Sequence, residues 1–277
     1  MSVMAAIELY RKLFASAGSY LVNRHLRSGL PEQFSEPLGF LFKGVLTEED
    51  REIRDRVEAI RQAIANSTAS HKPVSSGLNI SRTSTETAFV SSVNPEWGIF
   101  LYLCAKSFKA QTILELGGSA GVSGAYLASA PTCRSFTSIE GTPSLAKLAA
   151  QTVGKVTENC KVVSGLFDEV LEETLAGIRV KIDLVFIDGP KELEPTMKYL
   201  GKIVPRLESG SLIIFDDIHW SREMWRMWQT VCRLQGFTYT VNAGRFGLAL
   251  WEGGSIRPQN VDFSLLTGWL RIKNGYE

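Results

Sequence analysis

At 277 residues the chain is long enough for one large domain with additions or for two modest ones, and 44% hydrophobic with 21% charged residues supplies an ordinary globular core. Lys plus Arg total 30 against 29 Asp plus Glu, a formal charge of +1, which speaks against a nucleic-acid binder, whose affinity rests on a basic excess or stripe. Cys104, Cys133, Cys160 and Cys232 show no CxxC spacing and no His at zinc-ligand distance, so neither a disulfide framework nor a structural zinc is expected, and free thiols fit a cytoplasmic protein.

The N-terminal stretch reads as an amphipathic helix, with Ile7, Tyr10, Phe14, Ala17 and Leu21 recurring at three- and four-residue steps. Glu8, Arg11 and Lys12 interrupt it, so no signal core or membrane span is expected. Docking onto the body or onto a second copy, as a homodimer through these helices, is the expectation instead. Residues 31–45 carry two prolines and read as an irregular connection. Thr47 with Asp50 three residues later predicts a capped helix start, and Ile53, Val57, Ile60 and Ile64 give that helix one apolar stripe. Residues 67–95, rich in Ser and Thr without helical periodicity, read as a loop or lid.

From Pro95 the pattern changes. EWGIFLYLCAKSFKA reads as a helix, after which strand and helix signals alternate: TILEL, AYLASA, SFTSIE, GTPSLAKLAAQTVGK, CKVVSG, LFDEVLEETLAGI, KIDLVFIDG, EPTMKYLGKIVPRL, GSLIIFDD and REMWRMWQTVCRLQG. Short apolar strands between helices predict a parallel sheet covered on both faces. FTYTVNAGRFGLALWEG breaks the rhythm and predicts an antiparallel hairpin at the C-terminal edge of the sheet. The expected fold is therefore α/β and Rossmann-like, with a helical extension and lid over 1–95, the sheet domain over 96–254 and a tail over 255–277.

Gly117, Gly118 and Gly121 fall between the first strand of this domain and its helix, where bare backbone lets the chain turn sharply and a ligand approach. The GxGxxG dinucleotide spacing is not met. The string instead reads ExGxxxGxS across Glu115, Gly117, Gly121 and Ser123. It resembles motif I of class I S-adenosylmethionine-dependent methyltransferases, closest to the catechol-type and bacterial small-molecule O-methyltransferases. The resemblance covers roughly residues 90–252.

That resemblance implies S-adenosylmethionine as cofactor, with Glu115, Gly117, Gly118, Ser119, Gly121 and Ser123 around its methionine end. Glu140, followed by Gly141, ends the second strand about twenty residues on, where an acid accepts both ribose hydroxyls. Gly165 and Phe167 match the turn that lines the adenine. Asp188 ends the fourth strand, and Asp216 and Asp217 end the fifth. Carboxylates converging on one crevice repel unless something cationic lies between them, and Mg²⁺ is one answer. The family holds its metal at the places of Asp188, Asp216 and Asp217, with Asp188 also near the cofactor, and Lys191 matches its general base. A metal-free enzyme with His219 as base is the other option. Pro95 and Trp97 fall in a region where the family often contacts the methionine end, with no individual role assigned to either, and Trp220 is placed to wall an acceptor pocket.

The function so implied is methyl transfer to a small-molecule acceptor, most simply a hydroxyl oxygen. A catalytically silent partner subunit that binds S-adenosylmethionine and a nicotinamide-dependent reductase are the rivals; the second lacks the Tyr-x-x-x-Lys pair as well as GxGxxG.

Overall fold

The chain is described by a computed structural model over residues 3–67, 70–71, 82–265 and 267. Helix α1 (Val3–Arg27) forms as the spacing predicts. The side chains of Ile7, Tyr10 and Phe14 lie outside the described residues; of the rest of the stripe, Leu21 packs on the core while Ala17 faces solvent, and Val22 is the buried position. The stretch expected to be irregular holds a helical turn, Glu32–Phe34, and helix α2 (Ser35–Lys43). Its prolines permit this, because Pro31 precedes the turn and Pro37 falls in the first turn of α2, where no N–H has an intrahelical partner.

Helix α3 (Glu48–Ala65) starts at the predicted cap: Asp50 N–H donates to Thr47 Oγ1 at 3.2 Å and Thr47 N–H to Asp50 Oδ2 at 3.0 Å. The segment read as a loop contains a two-residue antiparallel pair, β1 (Ser70–His71) with β2 (Arg82–Thr83), and a six-residue helix α4 (Ser84–Phe89) with its own capping box, Thr83 and Glu86. Six residues are too few to display a helical stripe. Residues 68–69 and 72–81 of the predicted lid, and residues 266 and 268–277 of the predicted tail, lie outside the described residues.

Helix α5 (Pro95–Ser107) leads into the alternating domain: β3 (Thr112–Leu116), α6 (Val122–Ala128), β4 (Ser135–Glu140), α7 (Pro143–Val153), β5 (Cys160–Ser164), α8 (Phe167–Gly177), β6 (Ile182–Ile187), α9 (Leu193–Ile203), β7 (Leu207–Phe215), α10 (Arg222–Val231), then β8 (Phe237–Asn242), β9 (Gly247–Trp251) and β10 (Gln259–Asp262). The eight-stranded sheet runs β10-β8-β9-β7-β6-β3-β4-β5. Strands β3 to β7 are parallel, and β9 is antiparallel to both β7 and β8. The predicted hairpin is present, but β10 pairs parallel to β8 and covers its outer side, so the stretch read as a tail supplies the edge strand.

Alternate residues of each central strand feed opposite layers. Ile113, Leu184, Phe186, Leu212 and Ile214 pack with Phe34, Leu38 and Phe100, while Leu114, Leu116, Val185, Ile187, Ile213 and Phe215 pack with Leu171, Leu200 and Trp228. The chain leaves β3 towards β4 and β5, then crosses to β6 and β7 on the other side. The strand order therefore reverses at β3, and the carboxyl ends of β3 and β6 mark the switch-point crevice where open α/β sheets bind ligands. Among the described residues no helix is long and apolar enough to cross a membrane.

Candidate active site

The glycine loop follows β3 directly. Gly117 has φ +95°, and a Cβ there would overlap the carbonyl oxygen of Asp188 at the end of β6. Gly121 has φ +81°, and a Cβ would fall 2.7 Å from Ala149 Cα of α7. Between them Ser119, a non-glycine, also takes a left-handed conformation (φ 43°), a local strain that folds tolerate chiefly at functional sites.

Two carboxylates organise this loop from different sides. Glu115 is fully buried beneath it, accepting hydroxyl hydrogen bonds from Ser123 (2.6 Å) and Ser138 (2.7 Å). Burial pushes its carboxyl up to about 7, against the downward pull of both hydroxyls. Glu140, at the crevice edge of β4, accepts the N–H of Ser119 at 2.8 Å on one oxygen and that of Thr142 at 2.8 Å on the other. These bonds fix the carboxylate and use one lone pair of each oxygen, leaving capacity for two further donors. Beyond Glu140, Gly165 N–H donates to the Glu140 carbonyl at 3.0 Å, and half-buried Phe167 packs edge-on to Tyr199 at 5.3 Å and lies over Gly189.

Asp188, Asp216 and Asp217 converge as predicted, with one oxygen of each within 4.8 Å of the others. Asp217, like Ser119, holds a left-handed backbone (φ 53°). The cation between the carboxylates is supplied by the chain itself. Lys191 Nζ lies 2.6 Å from Asp188 Oδ1, 3.1 Å from Asp217 Oδ2 and 4.0 Å from Asp216 Oδ2. Arg245, in the turn between β8 and β9, makes a bidentate pair with Asp216 at 2.7 Å on both oxygens and reaches Asp217 at 3.4 Å. Burial alone would raise Asp216, but Arg245 and Lys191 outweigh it and hold the carboxyl down at about 2. Burial pushes Asp188 up to about 6 against the pull of Lys191, and it raises Asp217 as well, helped by the neighbouring Asp216 charge. Lys191 would lose its proton more easily through burial, yet the surrounding carboxylates hold it firmly protonated.

This arrangement bears on the Mg²⁺ expectation. The oxygen chemistry suits a hard divalent ion, but the space among the oxygens holds the Lys191 ammonium and both Asp216 oxygens are engaged by Arg245. A metal ion does not fit this donor set unless both cations are displaced.

The remaining predicted positions divide. His219 Nε2 lies 3.3 Å from Asn242 Oδ1, and its ring stacks on Trp225 at 4.7 Å. Asn242 donates through Nδ2 to Asp262 and accepts Gly244 N–H on Oδ1; with the amide so oriented, His219 Nε2 is the donor. His219 is thus held towards the β8–β10 side. Trp97 is a core residue, 3% exposed and packed on Phe100 and Phe246. Trp228 is buried, and Trp220 is 61% exposed. Sequence reasoning missed Arg245. Its signal was a lone charge in the apolar run NAGRFGLAL, since a charge buried in a strand turn requires a counter-charge.

Comparison with known proteins adds to this geometry. A family model described as "Methyltransferase domain" matches residues 114–218, from β3 to just past the Asp216–Asp217 pair. A catechol O-methyltransferase from Niastella koreensis is 29% identical over 130 residues, 46% of this chain; the match spans 58% of the length of that relative. Among solved structures, the cofactor-bound Rv0187 from MTB is 24% identical with a TM-score of 0.54 and covers 81% of this chain and 100% of its own. The O-methyltransferase TomG from Streptomyces achromogenes, solved in complex with SAM, is 20% identical with a TM-score of 0.53 and the same coverage. At these identities the structural likeness establishes the fold.

Proposed function

We propose that this chain is a class I S-adenosylmethionine-dependent methyltransferase that transfers the methyl group of S-adenosylmethionine to a hydroxyl oxygen of a small molecule, a reading supported by the methyltransferase-domain match over residues 114–218. The observation that carries this reading is Glu140. Its carboxylate is fixed by two backbone N–H groups at the rim of the switch-point crevice, with acceptor capacity left for a vicinal pair of ribose hydroxyls. S-adenosylmethionine supplies a methyl group already activated on a sulfonium, so the protein's task is alignment and exclusion of water.

The residues divide that task. The backbone of Gly117, Gly118, Ser119 and Gly121, with Ser123, would hold the methionine end, and buried Glu115 would brace the loop from below. Glu140 would take the ribose, and Gly141, Gly165 and Phe167 the adenine. Three carboxylates against two cations leave the Asp188 side of the crevice with one net negative charge, which suits a sulfonium. On the acceptor side, the oxygen–hydrogen bond breaks and its proton passes to Asp188 or Asp217, the partly exposed members of the cluster. The oxygen's electron pair forms the bond to the methyl carbon, the carbon–sulfur bond breaks with its pair returning to sulfur, and S-adenosylhomocysteine leaves. Lys191 stays charged and steadies the negative charge developing on oxygen. An oxygen acceptor is favoured by the relatives named as a catechol O-methyltransferase and an O-methyltransferase.

The test is transfer of labelled methyl from S-adenosylmethionine to a panel of phenols, catechols and amines. The expected result is a labelled methyl ether. Label confined to amines would contradict the oxygen assignment, and tight cofactor binding with no transfer to any acceptor would favour the catalytically silent subunit.

A further inference from the structure

The acidic cluster is closed by two cations of the chain's own, and each is built into the fold. Asp216 Oδ1 accepts from Arg245 Nε (2.7 Å) and from Asp217 N–H (2.7 Å), while Oδ2 accepts from Arg245 Nη2 (2.7 Å). The Arg245 side chain is 13% exposed and that of Asp216 is fully buried. Ile218 N–H donates to the Arg245 carbonyl at 3.2 Å, the guanidinium lies 5.6 Å from the centre of the Phe246 ring, and Phe246 packs at 4.8 Å on Trp97 of α5. The guanidinium is therefore positioned by β7, the β8–β9 turn and α5 together. Lys191 completes the set, bonded to Asp188 and Asp217 within 3.1 Å.

A Mg²⁺ ion demands near-octahedral oxygen coordination. To obtain it here, the ion would expel Lys191 and strip Asp216 of a planar bidentate partner, stranding a buried guanidinium without a counter-charge. We infer that Lys191 and Arg245 stand in the place of a divalent cation, so that this chain positions its acceptor without a metal. This rests on the methyl-transfer reading and names its electrostatics. It also narrows the substrate class. A metal ion chelates two oxygens of one acceptor, whereas an ammonium is a point charge that holds one. The acceptor then needs a single hydroxyl beside Lys191, and a vicinal diol gains nothing over an isolated one.

The experiment is a Mn²⁺ titration of chelator-stripped protein, followed by the loss of the free ion's paramagnetic signal, with S-adenosylmethionine calorimetry on the same sample. The wild type is expected to show no saturable Mn²⁺ site at millimolar concentration. The double variant Lys191→Ala/Arg245→Ala, freed of both cations, is expected to gain one. If that variant does not fold, Lys191→Ala alone keeps the Arg245–Asp216 pair and is expected to gain a weaker site on Asp188 and Asp217. A saturable wild-type site that Asp188→Asn removes would overturn the inference. So would folded cation-free variants that bind no Mn²⁺, because the carboxylates would then not form a set that these cations close. Failure of the wild type to bind S-adenosylmethionine would instead overturn the methyl-transfer reading, whatever the Mn²⁺ result.

Discussion

Glu115 shows how one buried side chain links pH to the integrity of the glycine loop. Its ordinary value is 4.5 and burial lifts it to about 7 in the folded chain. The folded state therefore keeps this proton where the unfolded state has released it, so stability falls as pH rises from about 4.5 to about 7 and the loss is complete above that window. The shift corresponds to about 3 kcal/mol at most. Glu115→Gln keeps the shape and stays neutral. Denaturant unfolding of both proteins at about pH 5 and about pH 8 should show the variant gaining on the wild type by up to about 3 kcal/mol; a difference independent of pH would contradict the assignment. At this scale the sequence marked Glu115, Glu140, Asp188, Asp216 and Asp217 because each is an acid at the end of, or within, an apolar strand. It could not pair Asp216 with Arg245, because 29 residues separate them and only the packing of the β8–β9 turn against β7 brings them together.

Helix α3 connects this chemistry to the extension that precedes the sheet. Arg61 is 1% exposed and donates to the carbonyls of Ala88 (2.8 Å) and Val93 (2.5 Å) while pairing with Glu58 at 2.9 Å. Glu58 in turn accepts the hydroxyl of Tyr126 on α6 at 2.8 Å. One guanidinium thus fixes the segment that runs from α4 into the Asn94 cap of α5, whose Trp97 wedges Phe246 beneath Arg245. Arg61→Met should cost about 2–4 kcal/mol by leaving two carbonyls and a carboxylate without their donor. Arg61→Lys should recover only part of this, since an ammonium cannot span all three acceptors. A loss below about 1 kcal/mol in denaturant unfolding would show that the segment does not depend on this clamp. The sequence disclosed α3 because 18 residues display both a cap and a stripe. It concealed α4, which is too short to show periodicity, and β10, whose QNVD offers one buried side chain, Val261.

For the molecule as a whole, the α/β order was legible because a strand buried on both faces must be written as an unbroken apolar run. At β10, where only Val261 is buried, that pressure relaxes, and the edge strand was read as a tail. The crevice follows from topology: reversal of strand order at β3 sets the glycine loop and Glu140 on one side and the Asp188, Asp216 and Asp217 cluster on the other. Whether this crevice receives S-adenosylmethionine is tested by calorimetric titration of the purified chain, with NADH as the competitor ligand and Glu140→Ala as the variant. The expected result is saturable binding of S-adenosylmethionine, none of NADH, and a loss of roughly ten- to one-hundred-fold in affinity in the variant, the worth of charge-assisted hydrogen bonds to the ribose. Binding of NADH in preference to S-adenosylmethionine, or an affinity indifferent to Glu140, would contradict it.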